Sequence, residues 1–226
     1  MCEAYLFGSV ARGDDDRASD VDVLLLYDRV PSDVAQLSNR NRVAAALSRP
    51  CNVAEYSRTH LERLFSEGHL FAWHLHLEAR GVPGWKGCDP FPEPSPYAQG
   101  LTDAANFARL LSSSTDAFRR GTVSPVYEAG IVYVALRNIG MSLSAMTMGR
   151  PSFGRTVPFE VSAELRASPP CSADFYETLI AARHASQRGL QAPTGFTDKI
   201  VEQLDSACLW ANTIIELARE RESHKV

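Results

Sequence analysis

The first ninety residues alternate short apolar runs with longer amphipathic ones. Tyr5, Leu6 and Phe7 form an apolar run that Gly8 ends, which predicts a strand over Ala4–Phe7. A short helix follows and stops at Gly13, a residue suited to a helix C-terminus. Val21–Tyr27 is apolar at nearly every position and predicts a buried strand. Ser32–Ser48 has helical spacing, and Cys51–Tyr56, bounded by Pro50, predicts a third strand. Thr59 and Glu62 have the spacing of a capping box, so the next helix is predicted to begin near Leu61. Its stripe runs on through Leu70, Phe71, His74 and Leu77, which predicts one continuous helix. His74 and His76, two residues apart, diverge on such a helix and cannot share a metal.

The pattern then changes. Gly81–Gly100 carries Pro83, Pro90, Pro92, Pro94 and Pro96, which block helix and favour an extended connector. Trp85, Phe91 and Tyr97 are placed to pin it to a domain surface. Beyond it the chain is helical: Leu101–Arg120, Pro125–Met148, Ala173–Arg188 and Thr197–Arg221, with a Pro-, Gly- and Ser-rich loop over Gly149–Ser172. Ile200, Leu204, Cys208, Ala211, Ile215 and Ala218 line one face of the last helix. The predicted fold is α+β: a small mixed-sheet domain (1–85), a Pro-rich linker (86–100) and an antiparallel four-helix bundle (101–226). The apolar second and fourth helices would serve a homodimer interface as readily as a monomer core.

Composition narrows the function. The 226 residues carry a formal net charge of −4. That argues against a nucleic-acid partner, which needs a basic face to neutralise phosphates. No apolar stretch reads as long enough to cross a bilayer. Five cysteines, an odd number at wide spacings with no Cys-x-x-Cys, indicate neither zinc nor a disulfide framework and point to a reducing cytoplasm.

The chemistry is concentrated in Leu6–Leu25. Gly8 and Ser9 make a turn after the first strand, where a glycine lets another molecule approach the main chain and unpaired amides favour an anion. Arg12 could reach a phosphate, and Gly13 closes the segment. Ser19-Asp20-Val21-Asp22 then opens the second strand. Side chains alternate along a strand, so Asp20 and Asp22 point the same way. Two neighbouring carboxylates repel unless a cation sits between them, and hard oxygen ligands suit Mg²⁺ carrying a nucleotide's phosphates. Asp14, Asp15 and Asp16 read as an exposed acidic loop.

Gly-Ser, Arg-Gly and Ser-Asp-x-Asp in this order resemble the signature of the DNA polymerase β-like nucleotidyltransferase superfamily. The match looks most like the minimal, kanamycin-nucleotidyltransferase-like branch, which includes antibiotic adenylyltransferases and antitoxins of toxin–antitoxin pairs. The resemblance implies that Ser9 contacts the β,γ-phosphates and that Asp20 and Asp22 hold Mg²⁺, with ATP as the default donor. It implies Gly8, Arg12, Gly13 and Ser19 around the nucleotide. It also implies a third carboxylate from a later strand, and Glu55 is the only acid on Cys51–Tyr56, with Glu128 in the second domain as the fallback base. The family usually has a helix ahead of the first strand; either this chain lacks it or a longer start lies upstream.

The helical half resembles the HEPN-like domains paired with such enzymes, on layout and Arg137-Asn138. The histidine that nuclease members carry several residues after that arginine is missing, so no ribonuclease activity is expected. Two readings follow. The first is an enzyme moving a nucleoside monophosphate onto a hydroxyl of a small molecule, such as an aminoglycoside, or of a protein side chain. The second is a non-catalytic nucleotide-binding or antitoxin-like module.

Overall fold

The computed structural model describes residues 2–15, 20–86, 90–121, 124–193 and 199–224. The chain divides into two compact units, Met1–Ala98 and Gln99–Val226. The first is built on a four-stranded mixed sheet in the order β3-β2-β1-β4. Its strands are β1 (Cys2–Phe7), β2 (Val21–Tyr27), β3 (Cys51–Ser57) and the short β4 (Arg80–Gly81). β1 runs antiparallel to β2 and β4, and β2 and β3 are parallel. Interleaved with them are α1 (Gly8–Arg12), α2 (Asp33–Leu47), α3 (Arg58–Ser66) and α4 (Leu70–Glu78).

The sheet is covered on both faces, which is why β2 is apolar almost throughout. On one face Tyr5, Phe7, Leu24 and Leu26 pack with Leu61, Leu64 and Phe65 of α3 and Ala72 and Leu75 of α4. On the other, Ala4, Val21, Val23, Leu25 and Tyr27 pack with Val43 of α2. Alternating β2 residues thus feed two separate cores.

Two local expectations are corrected. The stripe over 61–77 is not one helix: it breaks between α3 and α4 at Gly68, which has φ +65°. A Cβ there would lie 2.4 Å from the Pro96 carbonyl oxygen, so the Pro-rich segment needs a glycine beneath it. The cap of α3 is Ser57, whose hydroxyl accepts from the His60 amide, and not Thr59. β4 carries no strand signal of its own and exists by pairing with β1.

The Pro-rich segment is held by its aromatic residues and main chain. Phe91 packs on Tyr5 and Phe65, with centroid distances of 4.6 and 5.6 Å. The Ser95 carbonyl accepts from the Trp73 indole at 3.0 Å, and the Ser95 amide donates to the Phe65 carbonyl at 2.9 Å. Arg42 stacks 4.6 Å above the Trp85 ring.

The second unit contains α5 (Gly100–Arg120), α6 (Pro125–Met148), α7 (Val157–Glu164), α8 (Ala173–Arg188) and α9 (Lys199–Ser223). α6 is the central helix and touches each of the others. α7 occupies what the composition of 149–172 suggests is loop. Pro158 stands in its first turn, where proline is at home, and Val157, Pro158 and Val161 are buried. Gly140 admits it: a Cβ there would sit 2.8 Å from the Pro158 nitrogen. By length and apolarity α6 does qualify as a membrane span, contrary to the sequence reading, but 67% of its most apolar window is buried inside the protein. Arg137 donates to the Phe153 carbonyl at 2.7 Å, tying α6 to the chain leading into α7.

Candidate active site

The chemistry-bearing residues meet at one end of the sheet, where β1 ends and β2 and β3 begin. The register sets Phe7 opposite Asp22 across β1–β2, and Asp22 beside Asn52 across β2–β3. Gly8, the next residue on, is buried with φ +74°. An ideal Cβ on it would lie 2.4 Å from Asp22 Oδ2. The main chain at the turn therefore passes directly over the Asp22 carboxylate, an approach only glycine permits. Ser9 follows. Its carbonyl accepts from the amides of Gly13 and Asp14, at 2.9 and 3.1 Å, which closes the turn. Among the described residues the Ser9 hydroxyl makes no hydrogen bond to protein. Gly13 adopts φ +80° as the left-handed cap of α1.

Asp20 stands one residue before β2 and Asp22 is its second residue. Asp22 accepts from the Asn52 amide at 3.1 Å. Ser19, also expected here, lies outside the described residues.

Glu55 is not at this site. It pairs in register with Leu25, whose side chain faces α2, whereas Asp22 shares the α3/α4 face with Phe7, Leu24 and Leu26. Parallel neighbours point the same way, so 51, 53 and 55 turn from the Asp22 face and 52, 54 and 56 turn to it. Glu55 is committed elsewhere: it accepts from the Tyr27 hydroxyl at 2.9 Å and from Arg40 Nε at 2.9 Å. Burial and the Glu55 contact both raise the Tyr27 phenol above its ordinary range, so it stays a protonated donor. Glu55→Gln should therefore leave nucleotide binding and turnover within about twofold of wild type while costing about 1–3 kcal/mol of stability through the weakened charged hydrogen bonds. A titration with nucleotide and a denaturant curve check the two halves.

The fallback base is also engaged. Glu128 is buried in the second unit and accepts from the Ser114 hydroxyl.

Arg12 is tied down rather than presented. Its Nη1 donates to Glu78 at 2.7 Å and its Nε to Asp14 at 3.1 Å. Glu78, whose side chain is only 8% exposed, also meets His74 Nε2 at 2.8 Å. His74 in turn lies edge-on to Phe7, with ring centroids 5.3 Å apart. This network fastens α1 to α4 and so fixes the turn carrying Gly8 and Ser9. Glu78 and Asn52 went unread in the sequence: one is a polar residue in an apolar stripe, the other an amide on a strand.

Among the described residues no group of three or more His, Cys, Asp or Glu side chains is placed to hold a metal ion. What the site offers is Asp20, Asp22 and main chain held open by Gly8. These are hard oxygen donors that could hold a divalent cation only if further ligands were supplied from outside these two side chains.

Comparison with curated proteins gives no match for the chain. Residues 2–69 match the family model described as the nucleotidyltransferase domain, spanning every residue of this site from Gly8 to Asn52, and this supports placing the first unit in the nucleotidyltransferase superfamily.

Proposed function

We propose that the protein transfers a nucleoside monophosphate from a nucleoside triphosphate, with ATP as donor, to a hydroxyl of a small molecule such as an aminoglycoside or of a protein side chain. The observation that carries this reading is the Gly8 turn riding over Asp22, with the Ser9 hydroxyl making no hydrogen bond to protein among the described residues. Ser9 and the adjoining amides hold the β,γ-phosphates, and Asp20 and Asp22 hold Mg²⁺. The cation, when bound, neutralises phosphate charge and draws electron density from the α-phosphorus. The acceptor oxygen attacks that phosphorus, the bond from the α-phosphorus to the α,β-bridging oxygen breaks, pyrophosphate leaves, and the hydroxyl proton passes to solvent. Catalysis of this kind is mostly positioning and charge compensation, which a rigid strand end supplies.

A second reading, a nucleotide-binding or antitoxin-like module without turnover, is favoured by one observation. The β3 residue beside Asp22 is an amide, not an acid.

Incubation with ATP labelled at the α-phosphate or at the γ-phosphate, with Mg²⁺, aminoglycosides and cell lysate, tests the first reading. Label from the α position should appear on an acceptor and label from the γ position only in pyrophosphate. Transfer of the γ label, or of neither, contradicts it.

A further inference from the structure

We infer that Asn52 makes this a one-cation site: it orients Asp22 while withholding the charge a second divalent cation would need. The inference rests on the nucleotide reading above and deepens it.

Three observations converge. Strand parity gives β3 only Asn52, Ala54 and Tyr56 on the Asp22 face, and none is an acid. Asn52 is exposed at the strand's start, within reach of anything bound there, and its amide nitrogen donates to Asp22 Oδ1 at 3.1 Å. The one acid on α4, Glu78, has its side chain paired with Arg12 and His74 and serves the turn.

Charge then sets the stoichiometry. On the protein's side Asp20 and Asp22 supply two carboxylates, a match for one divalent cation, and the neutral Asn52 adds no third. A second cation close to the first would be repelled and, among the described residues of the strand end, would have only a neutral amide oxygen and a shared carboxylate to hold it. Asn52 donates to Asp22 Oδ1, and Asp22 Oδ2 lies at the Gly8 turn. Asn52 is thus a positioning residue. Nucleotide and cation should bind together, because the phosphates complete a ligand set that the protein leaves short.

Full-length wild type, Asn52→Asp and Asn52→Ala are titrated with Mn²⁺, counting bound ions by electron paramagnetic resonance, with and without α,β-methylene-ATP, which cannot release pyrophosphate. Wild type should bind one Mn²⁺ per chain with the nucleotide and bind Mn²⁺ alone weakly. Asn52→Asp should bind a second ion with the nucleotide and take Mn²⁺ alone at least about tenfold more tightly, since a unit charge is added at contact distance. Asn52→Ala should keep one ion with the nucleotide, bound about tenfold more weakly, as expected for losing a hydrogen bond to a charged group. Two ions on wild type, or no second ion on Asn52→Asp, overturns the inference. If wild type with the nucleotide binds no Mn²⁺ at all, the nucleotide reading itself fails and takes this inference with it.

Discussion

Gly8→Ala is expected to abolish nucleotide binding and to destabilise the first unit. Two effects combine. At φ +74° an L side chain is strained, by roughly 1–2 kcal/mol. The added methyl would also stand 2.4 Å from Asp22 Oδ2, well inside van der Waals contact. Buried Gly8 cannot retreat, since β1 precedes it and α1 is fastened by Arg12 to Glu78. The carboxylate must move instead, and with it the cation position. The stability loss should be about 2–4 kcal/mol, combining backbone strain with overpacking. Measurement of the unfolding curve together with nucleotide titration separates the parts. A folded variant that still binds nucleotide within threefold of wild type would mean that the close approach has no role in the site. Gly13→Ala is the useful contrast. Its φ is also positive, but a Cβ there meets nothing, so strain should appear without loss of the site.

Asp22→Asn should have the largest effect on turnover. The substitution keeps shape and changes the charge beside the turn. A cation ligand that compensates transition-state charge contributes several kcal/mol, so the rate should fall at least about a thousandfold. Stability should change little, because the site is at the sheet's rim and the amide can still pair with Asn52. Steady-state assay of α-label transfer, with circular dichroism to show the fold intact, is the check. Activity within tenfold of wild type would remove Asp22 from the chemistry.

The strands and the acid pair were legible because each is a local signal. Val21–Tyr27 is apolar enough to be a doubly covered strand, and Asp20 and Asp22 have the spacing of one strand face. Gly8 was legible as a turn, but its contact with Asp22 was not, since that depends on β1 pairing back onto β2. The assignment of Glu55 failed for a related reason. Being the only acid on a strand says nothing about which face it occupies; only register with β2 decides that, and register is a long-range fact. The same register makes Asn52 the residue beside Asp22. The break at Gly68 and helix α7 were hidden by composition. An unbroken apolar stripe concealed a left-handed glycine shaped by the Pro-rich segment, and a Pro-rich loop concealed a short helix seated against Gly140.

The most direct measurement is the shift in unfolding temperature on adding ATP alone, Mg²⁺ alone and both together, in wild type and in Asp22→Asn. A ligand present at about a hundred times its dissociation constant stabilises the native state by about 2.7 kcal/mol, a shift easily resolved. Wild type should be stabilised by the pair and by neither component alone, and Asp22→Asn should not respond. An equal shift in the variant, or a full shift in wild type without Mg²⁺, would contradict a cation and a triphosphate held together beneath the Gly8 turn.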